Sequence, residues 1–307
     1  MITRKHLRLD LAIRYSWKNI LYSTVCWGLA YSAMVHPAAP RIDVPISVIA
    51  ILGTALAIIL AFRNSSAYER WWEARKIWGG IVNESRTLAR QLRSFVAQDQ
   101  PMEDLRILTN AHLAWVNALR LQLRQKNDPR TWKSDVYDLL LPALRQKVES
   151  STNKVTRIGH EQGIAIRSCH DRTNMEPLFL VQLDDTLTRL TDLQGRAERI
   201  RNTPLPRPYD YYTLAFLNIF IFFFPFGVIG HFDDPVMYLW LLPITIVVGW
   251  IFYQIYVFGK VLSHPFQNWR TDVPLDAICR TIEIDLKEML GDKDVPTPVL
   301  PERGVLM

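Results

Sequence analysis

Three places in the chain bring chemically capable side chains together. Cys169-His170-Asp171 sets a thiol, an imidazole and a carboxylate in a row, His160-Glu161 joins a ring nitrogen to an acid, and Asp184-Asp185 pairs two acids. Such groups do nucleophilic or acid–base work only when they converge on one point. Sequence neighbours point apart on regular structure, and working triads are assembled from distant positions. There is no phosphate-cradling loop signature, no glycine-rich dinucleotide turn and no His-Glu-x-x-His pair. Cys26, Cys169 and Cys279 have neither metal-type spacing nor the even count of a disulfide framework. The sequence therefore predicts no catalytic residue, no metal and no cofactor.

A second kind of spacing points to transport. The run Val44–Phe62 (VPISVIAILGTALAIILAF) carries no charge and, as a helix rising about 1.5 Å per residue, just crosses a bilayer core. Within it two stripes repeat every fourth residue: Gly53, Ala57 and Ala61, and beside them Thr54, Ile58 and Phe62. Small residues let membrane helices approach closely. On the plain reading both stripes pack or face lipid. On the sharper reading the small stripe packs against copies of itself while Thr54, Ile58 and Phe62 line a narrow apolar tube.

The elements that must position this stripe are themselves membrane segments. The 307 residues are 49% hydrophobic with a net charge of +6, but the apolar residues are segregated into runs. Ile20–Val35, Tyr211–Gly230 and Val236–Gly259 join Val44–Phe62 as four predicted spans. None holds Asp, Glu, Lys or Arg, the usual mark of an ion-coupled carrier, and no inverted repeat is visible. The basic start (Arg4, Lys5, Arg8, Arg14, Lys18) and the Arg-rich middle, set against a HFDDP turn without Lys or Arg, predict both termini and the middle segment in the cytoplasm. Positive-inside bias accounts for the net charge, so no nucleic-acid partner is implied. No cleavable signal peptide is read at the start.

Four regions follow: an arm and two spans (1–62), a cytoplasmic helical domain (63–210), two further spans (211–259), and a cytoplasmic helix with an extended Pro-rich tail (260–307). Met1–Asn19 is expected as an amphipathic surface helix, with His36–Pro40 closing an outside loop. Beyond Phe62 the second span either runs straight on through RNSSAYERWWEARKIWGG or bends at Asn64-Ser65-Ser66; Trp71 and Trp72 are expected as buried contacts rather than an interfacial belt. Arg86, Arg90 and Arg93 share one face, either solvated or a basic lining that concentrates anions. Further helices are expected at Met102–Arg124, ended by Asn127-Asp128-Pro129, and at Lys133–Ser150, Ile158–Arg167 and Glu176–Arg201, the last with a leucine face. Asn218 in the third span is expected to make a cross-helix hydrogen bond, and Pro225 a mild kink. A span set of this kind, with one small-stripe helix continuing inward, fits a passive pore built from several copies.

At FRNSSAYERWWEARKIWG, with the preceding AILGTALAIILA, the chain resembles the bestrophin family of ion channels in its bacterial branch. TPLPRPY before the third span, His264-Pro265-Phe266 after the fourth and PLDAICRTIEIDL are similar to the corresponding bacterial segments. The resemblance implies an all-α membrane protein with four spans per subunit. It implies a homopentamer around one axial pore, in the bacterial inner membrane, passing small monovalent ions: chloride-type anions in much of the family, cations in some bacterial members. It places a neck on Thr54, Ile58 and Phe62, gated by expulsion of water, and a cytoplasmic constriction on Leu178. Thr54 stands where an aliphatic residue is commoner, which implies a wetter ring. Animal members hold Ca²⁺ with an acidic run; here that run is QNWRTD, with one carboxylate, so no Ca²⁺ clasp is expected. The alternatives are a membrane-anchored cytoplasmic scaffold or ligand sensor, and a secondary carrier.

Overall fold

The computed structural model describes residues 1–2, 9–36, 44–96, 102–173, 175–232 and 235–307, apart from the side chains of 9–15, 102, 173 and 235. The basic residues Arg4, Lys5 and Arg8, most of the outside loop with Arg41, and Asp233-Asp234 of the acidic turn lie outside the described residues. In chain order the helices are α1 Leu9–Val35, α2 Ile46–Gln91, α3 Met102–Leu123, α4 Pro129–Asp135, α5 Pro142–Glu149, α6 Lys154–Thr173, α7 Pro177–Asn202, α8 Arg207–Ile229, α9 Pro235–Leu262 and α10 Leu275–Leu290. A π-helical turn at Leu92–Val96 extends α2, a tight turn spans Tyr137–Leu139, and the extended pairing among the described residues is limited to isolated β-bridges. The chain divides into two compact units, Arg4–Arg70 with Pro204–His264, and Met1–Thr3 with Trp71–Thr203 and Pro265–Met307.

The first unit holds α1, the first half of α2, α8 and α9. Among the described residues three helical stretches are long and apolar enough to cross a membrane: one within 46–96, Arg207–Ile229 and Val236–Leu262. α1, at 27 residues, has the length and packs along α8 and α9. Its Trp27 indole donates to the Tyr238 carbonyl at 3.0 Å and its Tyr22 hydroxyl to the Asn218 carbonyl at 3.1 Å. The expected surface helix therefore does not end at Asn19: α1 runs unbroken from Leu9, because neither proline nor a glycine pair interrupts it. The bond expected of the Asn218 side chain is made by its carbonyl, and the residue itself is exposed. Ile49, Leu56 and Leu60 of α2 close a core with Leu217, Phe220 and Ile221 of α8 and Tyr256 of α9.

α2 does not bend at Asn64-Ser65-Ser66. It continues for 46 residues, about 70 Å at helical rise, through Gly79-Gly80 to Gln91. The glycine pair does not stop the helix, because packing has another use for it: a Cβ on Gly80 would lie 3.0 Å from Leu193 of α7.

The second unit packs α3, α6, α7 and α10 around Trp78, Ile77 and Ile81 of α2. Trp71 is held by its indole N–H on the Thr271 carbonyl (3.0 Å), whereas Trp72, stacked on it, is exposed. Asp128 caps the start of α4, accepting from the Thr131 backbone N–H at 3.1 Å, so the Asn-Asp-Pro signal opens a helix. The helix expected over Lys133–Ser150 is broken into α4, a single tight turn at Tyr137–Leu139, and α5, which starts at Pro142. α6 is longer than expected at both ends. Of the leucine face expected on α7 (Leu180, Leu183, Leu187, Leu190, Leu193), Leu183 and Leu190 are buried beside Thr186, Gln194, Ala197 and Ile200, while Leu180, Leu187 and Leu193 are half-buried at the edge of the same core. The Pro-rich tail folds back at its end: Ile2 bridges Val305, the Leu306 N–H donates to the Met1 carbonyl (2.8 Å), and the Ala277 N–H to that of Met307 (2.8 Å).

Candidate functional site

The roll of α2 shows in which of its residues are buried. At 100° per residue, Ile49, Leu56, Leu60, Arg63 and Ala67 fall on one side and all are buried, the first three in a core with α8 and α9. Thr54, Ile58 and Phe62 fall on the opposite side. Ile58 is 52% and Phe62 67% exposed, and Thr54 is exposed too. The Thr54 hydroxyl donates to the Ala50 carbonyl one turn back at 2.8 Å, which uses its proton inside the helix. The small stripe behaves differently from one residue to the next. Gly53 abuts Phe220 of its own chain, where a Cβ would lie 3.0 Å from Cε2, while Ala57 and Ala61 are exposed. Gly53, Thr54 and Ala57 border an apolar groove on their own chain with Phe220, Phe224 and Phe252, so Thr54 stands at the edge of the outward side.

A clasp directly after Phe62 fixes that roll. Arg63 is 3% exposed; its Nη1 donates to the Tyr256 carbonyl at 2.8 Å, its Nη2 pairs with Asp210, and its guanidinium lies 4.6 Å from the Tyr256 ring centre. The Tyr256 hydroxyl donates to Asp210 at 3.3 Å, and the Asn64 amide to the Ile255 carbonyl at 3.1 Å. Gly259 makes room: a Cβ there would lie 1.9 Å from Asn64 Oδ1 and 2.7 Å from Arg63 Nη1. Sequence reasoning passed over this clasp. The available signal was a bare arginine at the edge of an apolar run, which demands a carboxylate.

Leu178, 56% exposed, sits in the first turn of α7 with Val181 exposed one turn on. Its neighbour Phe179 stacks on Phe95 at 4.2 Å, which turns Leu178 away from the core. Arg86 is not simply solvated: it pairs with Asp285 of α10 at 2.7 Å.

The catalytic-looking neighbours do not converge. Cys169 is buried, whereas His170 and Arg167 are spent on Asp171, whose carboxyl they hold below its usual pKa. Glu161 is paired with Lys147 and Arg157, and Asp184 and Asp185 are exposed. In the QNWRTD turn Asp272 is buried and takes backbone N–H groups from Trp269 (3.1 Å), Gln267 and Asn268; burial outweighs them and pushes its pKa up to about 6. A turn that aims N–H groups at its one carboxylate does not fit Ca²⁺, which needs six or more oxygens.

The bacterial and fungal bestrophin family model matches residues 9–288. The chain belongs to that family. A voltage-dependent anion channel-forming protein of Mesorhizobium japonicum is 30% identical over 277 residues, 88% of this chain and 84% of the relative. One of Salmonella typhi is 30% identical over 82% of this chain and 79% of its own. The crystal structure of a bacterial bestrophin homologue from Klebsiella pneumoniae superposes with a TM-score of 0.79 at 26% identity, covering 93% of this chain and 99% of that one. This bestrophin is thus an all-helical membrane protein of an ion-channel family and not an enzyme.

Proposed function

We propose that this bestrophin is a homopentameric passive channel for small monovalent ions, with Thr54, Ile58 and Phe62 of five α2 helices forming an apolar neck. One observation carries the reading: the exposed side of α2 at Ile58 and Phe62 is apolar and turned away from a side clamped to its own chain by Arg63. A greasy face locked outward needs lipid, a partner or an axis, and five-fold repetition supplies the axis. Apolar rings exclude water until side chains move, which is gating by dewetting. Leu178 forms a second, cytoplasmic constriction. α1 is the fourth span beside the three apolar helices, with both termini cytoplasmic in a bacterial inner membrane. The partners are other copies of the chain, membrane lipid and the permeant ion. The names of the relatives, anion channel-forming proteins, favour anions.

The test is single-channel recording of purified protein in planar bilayers. Ile58→Ala and Phe62→Ala each widen the neck and raise unitary conductance. Currents unchanged in both variants would overturn the lining assignment; saturable counter-flow without discrete openings would point to a carrier. Absence of flux together with a soluble partner in fixed ratio would point to a scaffold.

A further inference from the structure

We propose that Glu69 is the charge-selecting residue of the pathway, a ring of carboxylates two helical turns inward of Phe62 that favours monovalent cations over anions. The proposal rests on the reading above that the outer side of α2 faces the axis. Glu69 lies seven residues after Phe62 and eleven after Ile58, within about 20° of each on the helix, and its side chain is exposed. It follows Phe62 by roughly 10 Å along the helix.

The charge inventory of this stretch is short. From Val44 to Arg70 the only charged side chains are Arg63, Glu69 and Arg70. Arg63 is turned inward and spent on Asp210 and the Tyr256 carbonyl. Arg70 is half-buried with its Nε on the Ser263 carbonyl at 2.8 Å. Both cations therefore serve the chain's own packing, and the one charge left on the outer face is negative. The approach to it from Phe62 is uncharged, through Ser65 and Ser66, both exposed.

An apolar neck has no preference between K⁺ and Cl⁻ of its own, so selection falls to the nearest fixed charge. Rings of acidic side chains draw cations and repel anions, and low-dielectric walls focus that field. Five-fold repetition multiplies one carboxylate into five. The anion preference in the relatives' names would then not transfer to this chain.

The experiment measures reversal potentials of the full-length protein in planar bilayers under a tenfold KCl gradient. The parent reverses on the K⁺ side. Glu69→Gln lowers the K⁺/Cl⁻ permeability ratio several-fold, and Glu69→Lys moves reversal to the Cl⁻ side. Glu69→Cys guards against assembly faults, since charge can be added to the finished channel and the native Cys26, Cys169 and Cys279 are buried. A sulfonatoethyl thiosulfonate then restores cation preference, and its trimethylammonium counterpart reverses it. A parent that reverses on the Cl⁻ side, or Glu69 variants that keep the parent's value, overturns the proposal. Phe62→Ala in the same bilayers separates the two ideas. If it changes conductance while the Glu69 variants leave reversal unmoved, the neck stands and the selector falls. If Phe62→Ala changes nothing, the neck assignment falls and takes the selector with it.

Discussion

Gly259→Ala tests whether the clasp beside Phe62 sets the neck. The new methyl would sit 1.9 Å from Asn64 Oδ1 and 2.7 Å from Arg63 Nη1, well inside contact distance. Asn64 must swing away and give up its 3.1 Å bond to the Ile255 carbonyl, a loss of about 1 kcal/mol. Arg63 must retreat from the 2.8 Å bond to the Tyr256 carbonyl, and weakening one charged bond costs about 2 kcal/mol more. Alanine in place of helical glycine returns up to about 1 kcal/mol, which leaves a net loss on the order of 2 kcal/mol. The displacement falls one residue after Phe62, so unitary conductance should change along with stability. Gly28→Ala on α1 is the matched control: its Cβ meets nothing within 4 Å, and it should hold or slightly raise the melting temperature with conductance unchanged. Thermal unfolding in detergent and single-channel recording read the two quantities. If Gly259→Ala melts and conducts like Gly28→Ala, the clasp does not position the neck.

Gly195→Ala on α7 should stabilise by roughly 0.5–1 kcal/mol, since a Cβ there meets nothing within 4 Å; a lower melting temperature instead would place a neighbouring chain against that face. Leu178→Ala should admit larger ions than the parent while leaving stability unchanged, read as relative permeability to a series of organic ions; an unaltered series removes Leu178 from the pathway. Two buried groups should give opposite pH slopes. His112, stacked on Trp115 with Nε2 2.8 Å from Ser85 Oγ, has its pKa pushed by burial from 6.5 down to about 4. Its neutral form therefore stabilises the fold above pH 6.5, and that contribution is lost as pH falls towards 4. Asp272 runs the other way: raised by burial from 3.8 to about 6, its contribution is complete below 3.8 and is lost as pH rises through 6. Asp272→Asn should make the melting temperature climb more steeply between pH 4 and 6.5, and His112→Gln should make it fall across pH 4 to 6. Identical slopes in the two variants would refute the assignment.

What was legible in the sequence was what a local rule decides. Uncharged runs announced α2, α8 and α9, and Pro177 and the Pro204–Pro208 stretch marked where α7 begins and where it gives way to α8. The errors arose where one local signal serves two outcomes. Asn127-Asp128-Pro129 reads as a stop, and α3 does end before it at Leu123, but the same residues also cap α4, which the stop reading leaves out. A change from basic to apolar residues near Asn19 says where water ends, not where a helix ends, so α1 passes through it.

The deeper gap concerns rotation. Four-residue spacing groups Thr54 with Ile58 and Phe62, but a period carries no information about which way its stripe is turned. That is decided by Arg63 meeting Asp210, 147 positions later, and Tyr256, 193 positions later, pairings only the fold can bring together. Because a guanidinium cannot be left unpaired beside lipid, the inward turn of Arg63 is the strongest constraint on α2, and the outward turn of its neighbours follows from it. The charge that should choose the ion and the apolar side chains that should gate it are thus both aimed by a residue that touches neither.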